Sequence, residues 1–169
     1  KVAAVYTKTG KLAAMVDTVK ILHPGGGANF VHPEFGLVWS TGHLGDAVVS
    51  LISAAFYDPQ SAKYKHHNCT FVLELKIQGA GNVFVFTHPQ SKYLCADVPL
   101  TPNRELTVTL LVLVKANVNI DQVRLVIPKD SCLPINKAIH RVVQPEYNKA
   151  GDEVWISVWG GKTHQSAIV

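Results

Sequence analysis

The residues of this chain most able to do chemistry are its histidines and cysteines, because both residue types bind metals. The densest group is His66 and His67, followed by Cys69. Zinc sites usually pair their ligands as CxxC or HxxxH, and neither spacing occurs in this sequence. Neighbouring histidines in a polar stretch are more typical of a solvated loop. The sequence therefore predicts no metal-ligating residue.

Nucleophilic catalysis is the second chemistry that the residue types allow. No serine stands in a Gly-x-Ser-x-Gly elbow, and the acidic residues are spread along the chain without a local pair for glycoside hydrolysis. Cys132 and His140 could act together only if the fold brought them into contact. An enzyme that uses Cys132 or a histidine cluster stays a third hypothesis. We predict that no residue is catalytic and that the protein is not an enzyme.

Two further patterns suggest ligand binding. The run Gly25-Gly26-Gly27 could cradle a phosphate, but no Lys-Ser/Thr pair follows it and no helix begins there. We expect a close-packed loop, no cofactor and no cofactor-binding residue. Tryptophan supplies the other pattern, since Trp155 and Trp159 share one face of a predicted strand and could stack a sugar together with Trp39. A carbohydrate- or protein-binding β-sandwich is therefore the alternative function.

Length and composition predict a single domain over residues 1–169 with a sizeable core. The chain is 47% hydrophobic and 17% charged, which favours apolar surface that meets a partner. A net charge of +4, with the cations scattered, supports a weak preference for polyanions. Cys69, Cys95 and Cys132 have no close spacing, so we expect free thiols in a reducing compartment.

Apolar and polar residues alternate along much of the chain, which predicts an all-β fold. The spacing of Val48, Leu51, Ile52, Ala55 and Phe56 instead predicts one short helix over residues 47–57. The eight predicted strands cover residues 11–22, 35–39, 69–78, 83–86, 105–115, 122–127, 138–143 and 153–159. A tight turn at residues 79–82 would join two of them.

The predicted strand 105–115 is apolar on both faces in its second half, so it should lie at the centre of a sheet. Leu106, Val108, Leu110 and Val112 are its predicted core residues. Eight short strands with little helix favour a two-sheet sandwich.

The order of these elements, with a helix after the second strand, resembles the eight-stranded antiparallel jelly roll of picornavirus-like and comovirus-like coat proteins. The likeness rests on three segments: the predicted helical residues 51–57, the long strand after them, and the short strand that ends before His88-Pro89-Gln90. The resemblance implies a structural subunit of an icosahedral capsid that self-assembles, encloses an RNA genome and is released from a polyprotein.

That resemblance also sets the expected partners and location. The partners would be other capsid subunits, genomic RNA through weak contacts, and a host receptor, without a membrane. RNA contacts would be weak because the chain lacks a basic arm. The protein would lie in the virion, and in the host cytoplasm during assembly.

Overall fold

The computed structural model describes residues 1–23, 26–54, 59–116, 124–126, 140–161 and 165–169. Within these ranges the chain forms thirteen strands and one short helix of the 3₁₀ type, so the all-β prediction is confirmed. The strands are β1 (Val2–Val5), β2 (Leu12–Val16), β3 (Ala28–His32), β4 (Gly36–Gly42), β5 (Val48–Ser53), β6 (Phe71–Lys76), β7 (Val85–Thr87), β8 (Tyr93–Asp97), β9 (Leu110–Val114), β10 (Arg124–Val126), β11 (His140–Tyr147), β12 (Val154–Gly160) and β13 (Ser166–Ile168), and the 3₁₀ helix covers Pro59–His67.

The strands form four antiparallel sheets, and within each sheet every strand pairs with its neighbour in sequence. The sheets are β1-β2, β3-β4-β5-β6, β7-β8-β9-β10 and β11-β12-β13. A jelly roll instead places strands that are distant in sequence side by side. The predicted jelly-roll topology is therefore not the one that the described strands form.

The last three sheets stack in the order in which they occur along the chain. Leu94 and Leu111 point from one face of β7–β10 into a core shared with β3–β6. Cys95 and Leu110, on the opposite face, pack in a second core against Val142 and residues of β12. Because side chains alternate between the faces of a strand, both faces of the middle sheet are covered.

The first strands of successive sheets also touch one another. β3 contacts β7, and β7 contacts β11. The backbone N–H of Val85, at the start of β7, donates to the carbonyl of Gly26, just before β3, over 2.8 Å. Further along, the hydroxyl of Tyr147 at the end of β11 donates to the carbonyl of Tyr93 over 3.3 Å. The first strands thus lie side by side, with their starting points near one another.

The predicted helix over residues 47–57 is wrong where the structure describes it. Val48–Ser53 is strand β5, and Ala54 follows it without regular structure, while residues 55–57 lie outside the described residues. Val48, Val49, Leu51 and Ile52 are all buried, because β5 lies between β4 and β6 with both faces covered. A short apolar run of this kind has no period that distinguishes strand from helix.

The other element predictions were right in place and inexact in extent. All eight predicted strands overlap observed ones, but β1, β3, β5, β8 and β13 were missed. The turn at residues 79–82 does not form a hairpin, since β6 and β7 belong to different sheets. In the predicted strand 105–115, β9 begins at Leu110, and Leu110 is buried, whereas Leu106, Val108 and Val112 are half-buried.

Candidate functional site

Four chain segments meet where β3 and β7 begin, where β4 turns into β5 and where β8 ends. We name this region the His23 edge and define it by His23, Gly26, Gly27, Gly42, His43, Asn82, Val83, Phe84 and Asp97. Contacts tie the segments together: the imidazole of His23 lies edge-on to the ring of Phe84, with ring centroids 5.8 Å apart. Asn82 lies directly over Gly42, so that a Cβ on Gly42 would overlap its amide group.

His23 is held through its backbone and leaves part of its side chain unused. Its N–H donates to the carbonyl of Gly42 over 3.2 Å, and its own carbonyl accepts the hydroxyl of Thr41 over 3.4 Å. The Nδ1 atom is buried and has no hydrogen-bond partner in the part of the chain that the structure describes. A fixed imidazole with an unpaired ring nitrogen can ligate a metal, bind a ligand or hold a proton.

Asp97 is a buried carboxylate at the end of β8, and it is fully shielded from solvent. Its Oδ1 accepts the backbone N–H groups of Val83 and Phe84, each over 2.9 Å. Its Oδ2 accepts the N–H of Gln144 over 3.0 Å. Burial raises the pKa of Asp97 to about 6, and the hydrogen bonds from these N–H groups and the field of His23 oppose the rise.

Asn82 is also fully buried. Its Nδ2 donates to the carbonyls of Phe84, over 3.0 Å, and Asp97. Its Oδ1 finds no partner among the described residues. Because both donor bonds fix the amide, the unpaired oxygen cannot turn away from Gly42 without breaking them.

His43 is the second histidine of the His23 edge, and Trp39 packs against its glycine Gly27. The ring of His43 is fully buried and its Nε2 pairs with the Ser50 hydroxyl over 2.8 Å. Burial lowers the pKa of His43, so the ring is neutral at neutral pH. The indole of Trp39 lies against Gly27, where a Cβ would overlap it. The glycine thus allows an aromatic ring to approach the backbone just before β3.

The predicted site residues do not come together. Among the described residues no group of three or more histidine, cysteine, aspartate or glutamate side chains could hold a metal. The rings of His66 and His67 lie against each other, with centroids 3.8 Å apart and a tilt of 45°. Cys69 contacts the Asn68 carboxamide. The prediction that no residue is catalytic, cofactor-binding or metal-ligating stays untested, and we depart from it below at His23.

Several other predicted residues have a clear outcome. Cys132 and Gly25 lie outside the described residues, and Cys69 and Cys95 are free thiols as predicted. Trp155 and Trp159 are 54% and 50% exposed on β12. Trp39 lies in another sheet against Gly27, so the three tryptophans do not form one platform.

Sequence reasoning missed His23, Asn82 and Asp97, although two signals were present. The first is the glycine run after His23, because glycines let another group approach the backbone closely. Asp97 is a lone acidic residue in the apolar run Leu94 to Val98, which is a signal for a buried carboxylate.

None of the helical residues that the structure describes forms a helix with the length and apolar character needed to span a membrane.

Comparison with known proteins identifies the family. The model of the cytochrome D1 heme domain matches residues 1–169. A nitrite reductase of Stutzerimonas stutzeri is 63% identical over 169 residues, which are 100% of this chain and 30% of that protein. The solved structure of the dihydro-heme d1 dehydrogenase NirN in complex with DHE superposes with a TM-score of 0.67 at 17% identity, covering 98% of this chain and 32% of that one. The chain thus spans about a third of the length of these relatives.

These matches overturn the functional predictions made from the sequence. The family match covers every residue, so the resemblance to a viral coat protein is wrong. The capsid function is wrong with it, as are the subunit, RNA and receptor partners and the location in the virion and the host cytoplasm. The alternative of a carbohydrate-binding module is wrong for the same reason. The prediction that the protein is not an enzyme is contradicted by the 63% identity to a nitrite reductase. The chain belongs to the cytochrome D1 heme domain family.

Proposed function

We propose that this chain forms part of a β-propeller that holds heme d1 in an enzyme acting on nitrite. The observation that carries the proposal at the level of the site is the buried, unpaired Nδ1 of His23, located where successive sheets converge. The family match and the identity to a nitrite reductase support the cofactor and the substrate. Residues 1–169 would all belong to one propeller domain.

The sheet arrangement supports the propeller. A propeller blade is an antiparallel sheet whose strands follow one another outward from a central axis. The sheets β3–β6 and β7–β10 each have four strands in sequence order, and their first strands are in mutual contact. β11–β13 would supply the first three strands of the next blade, and β1-β2 the outer strands of the preceding one.

The residues of the His23 edge fit a heme. The unpaired Nδ1 is a nitrogen of the type that would bind iron or an iron-bound ligand. The ring of Phe84 beside it and the indole of Trp39 at Gly27 would offer apolar contact to a planar macrocycle. When bound, the heme supplies one-electron redox chemistry at its iron.

Within this arrangement the chain's own residues orient the reactants and handle protons. His23 can hold a proton at one ring nitrogen and present it to a nitrite oxygen, as a general acid does. Its backbone bonds to Gly42 and Thr41 fix the position of the ring. His43, neutral and buried behind it, adds no competing charge.

The test compares His23→Ala with His66→Ala in the native-length protein loaded with heme d1. His66 lies exposed in the 3₁₀ helix and serves as the matched control. We expect His23→Ala to lower nitrite turnover by about 100-fold, the usual scale for a lost acid–base group, and His66→Ala to leave it unchanged. Heme content is measured from the absorption spectrum in parallel.

Two results would count against the proposal. Wild-type turnover in His23→Ala at equal heme content would remove His23 from the site. Failure of the wild-type protein to take up heme d1 at all would contradict the proposed cofactor.

A further inference from the structure

One buried carboxylate connects the first strands of two successive sheets. Asp97 lies at the end of β8 with no exposed surface. Through Oδ1 it accepts two backbone N–H groups from the segment that leads into β7 and, over 3.4 Å, the Nδ2 group of Asn82 in the same segment. Through Oδ2 it accepts one backbone N–H group from β11. The three bonds from backbone N–H groups span two sheets of the stack.

The partner on β11 sits at an irregularity in that strand. The register between β11 and β12 shifts between Val143 and Glu146, and Gln144 has a φ of 52° in the left-handed region. The bulge leaves the N–H of Gln144 without a place in the ladder. Asp97 supplies the missing acceptor, so the bulge and the carboxylate are complementary.

The partner on the other side reaches the candidate site. The Phe84 N–H is bonded to Asp97, and the Phe84 ring packs edge-on against the imidazole of His23. Asp97 also holds this segment through the backbone, since its N–H donates to the Phe84 carbonyl over 3.2 Å.

We propose that Asp97 is a positioning residue that acts through Phe84 to fix the orientation of His23 and locks β7 to the bulge of β11. Its two oxygens do separate tasks, Oδ1 for the His23 edge and Oδ2 for β11. The consequence for heme binding rests on the proposed function, whereas the positioning itself is a property of the cofactor-free protein.

The roles of the two carboxylate oxygens of Asp97 can be tested separately by substitution. In Asp97→Asn the side chain keeps one carbonyl oxygen, which can still accept from Val83 and Phe84. Its amide group then faces the Gln144 N–H, so two donors meet and that bond is lost. Asp97→Ala removes the acceptors for both the β7 segment and Gln144. Asp17→Asn is the control, because Asp17 is an exposed aspartate that pairs with Lys1 far from these contacts in sequence.

The experiment uses native-length protein without heme and two measurements. Amide hydrogen exchange reports the three N–H groups, and the NMR signals of the His23 imidazole report the ring current of Phe84. In Asp97→Asn we expect exchange at Gln144 to rise about tenfold or more, with Val83, Phe84 and the His23 signals unchanged. In Asp97→Ala all three amides should exchange faster and the His23 signals should move.

The outcomes decide the proposal whatever the cofactor does. If Asp97→Ala leaves the His23 signals as Asp17→Asn leaves them, Asp97 does not position His23. If Asp97→Ala does not fold, Asp97→Asn decides alone, and an equal rise in exchange at all three amides would overturn the division of tasks. Loss of heme binding in the wild type would instead count against the proposed function and leave these measurements standing.

Discussion

The two ends of the first strands differ in whether their buried polar groups have hydrogen-bond partners. At the His23 edge, His23 Nδ1 and Asn82 Oδ1 are buried without a partner among the described residues. At the opposite end, which we name the Tyr147 edge (His88, Ser91, Tyr93, Cys95, Lys115 and Tyr147), the Tyr147 hydroxyl contacts the Tyr93 carbonyl, the Ser91 hydroxyl and the Cys95 thiol at 3.2–3.3 Å.

The charged group of the Tyr147 edge is paired in the same way. The Lys115 ammonium donates to the Thr87 hydroxyl over 3.3 Å and to the His88 carbonyl over 2.8 Å. Buried polar groups without partners destabilise a fold, and such groups concentrate where a protein binds or reacts. The contrast supports a structural role for the Tyr147 edge and agrees with the proposed role of the His23 edge in ligand binding.

The largest effect should come from the titration of Asp97. Burial raises the pKa of its carboxyl from 3.8 to about 6 in the folded protein. The folded state then holds more protons than the unfolded state between these pH values, so stability falls as pH rises through that window. Relative to Asp97→Asn, the wild type should lose on the order of 3 kcal/mol of unfolding free energy from pH 3.5 to 6.5.

Urea unfolding at a series of pH values measures this difference, and Asp17→Asn supplies the opposite sign. The hydrogen bond from Lys1 lowers the pKa of Asp17, so its contribution to stability is present above pH 3.8 and is lost as pH falls. A pH-independent difference between the wild type and Asp97→Asn would show that Asp97 titrates normally.

The second effect tests how tightly the His23 edge is packed. A Cβ at Gly42 would overlap the Asn82 carboxamide, which two hydrogen bonds hold in place. We expect Gly42→Ala to destabilise the protein by about 1–3 kcal/mol through overpacking. In an Asn82→Ser background the same substitution should have a smaller effect, because the shorter side chain leaves room. Equal effects in both backgrounds, measured as a double-mutant cycle, would separate the two residues.

The sequence predicted the strands better than their assembly. Alternation is clearest in β12, where buried Ile156 and Val158 alternate with exposed Trp155 and Trp159. β5 was mistaken for a helix because both of its faces are buried, so Val48 to Ile52 show no alternation. The sheet order could not be read at all, since the turn at residues 79–82 is as short as a hairpin turn but joins two sheets.

The candidate site was beyond the sequence for a related reason. Phe84 and Asp97 meet because β7 pairs with β8, and His23 reaches Phe84 because the first strands of successive sheets touch. A viral coat likeness rested on element order, which many all-β folds share. The lone aspartate at position 97 in an apolar run was the sharper signal, since a buried carboxylate needs donors that the fold must supply.

The third effect concerns the Tyr147 edge. Tyr147→Phe removes a hydroxyl that bonds the Tyr93 carbonyl and the Ser91 hydroxyl and contacts the Cys95 thiol. We expect a loss of about 1–2 kcal/mol of unfolding free energy, because the Tyr93 carbonyl and the Cys95 thiol lose this partner, while the Ser91 hydroxyl keeps the N–H of Tyr93. Tyr64→Phe is the control, since its hydroxyl bonds the Pro33 carbonyl at an exposed position where water can replace it. A Tyr147→Phe effect no larger than that of Tyr64→Phe would weaken the assignment of this edge to structure.

The smallest effect on stability should come from substitution of His23. The comparison of the two edges requires this effect to be small. His23→Leu removes an imidazole whose Nδ1 has no partner, while both backbone bonds of residue 23 remain. Leucine keeps apolar contact with Phe84, so the unfolding free energy of the cofactor-free protein should change by less than about 0.5 kcal/mol. The same substitution should abolish the ability of residue 23 to hold a proton, and nitrite turnover should fall as in His23→Ala. Urea unfolding beside Tyr147→Phe makes the comparison direct. A loss of unfolding free energy close to that of Tyr147→Phe would mean that the fold depends on a bond of the imidazole. Both edges would then have a structural role.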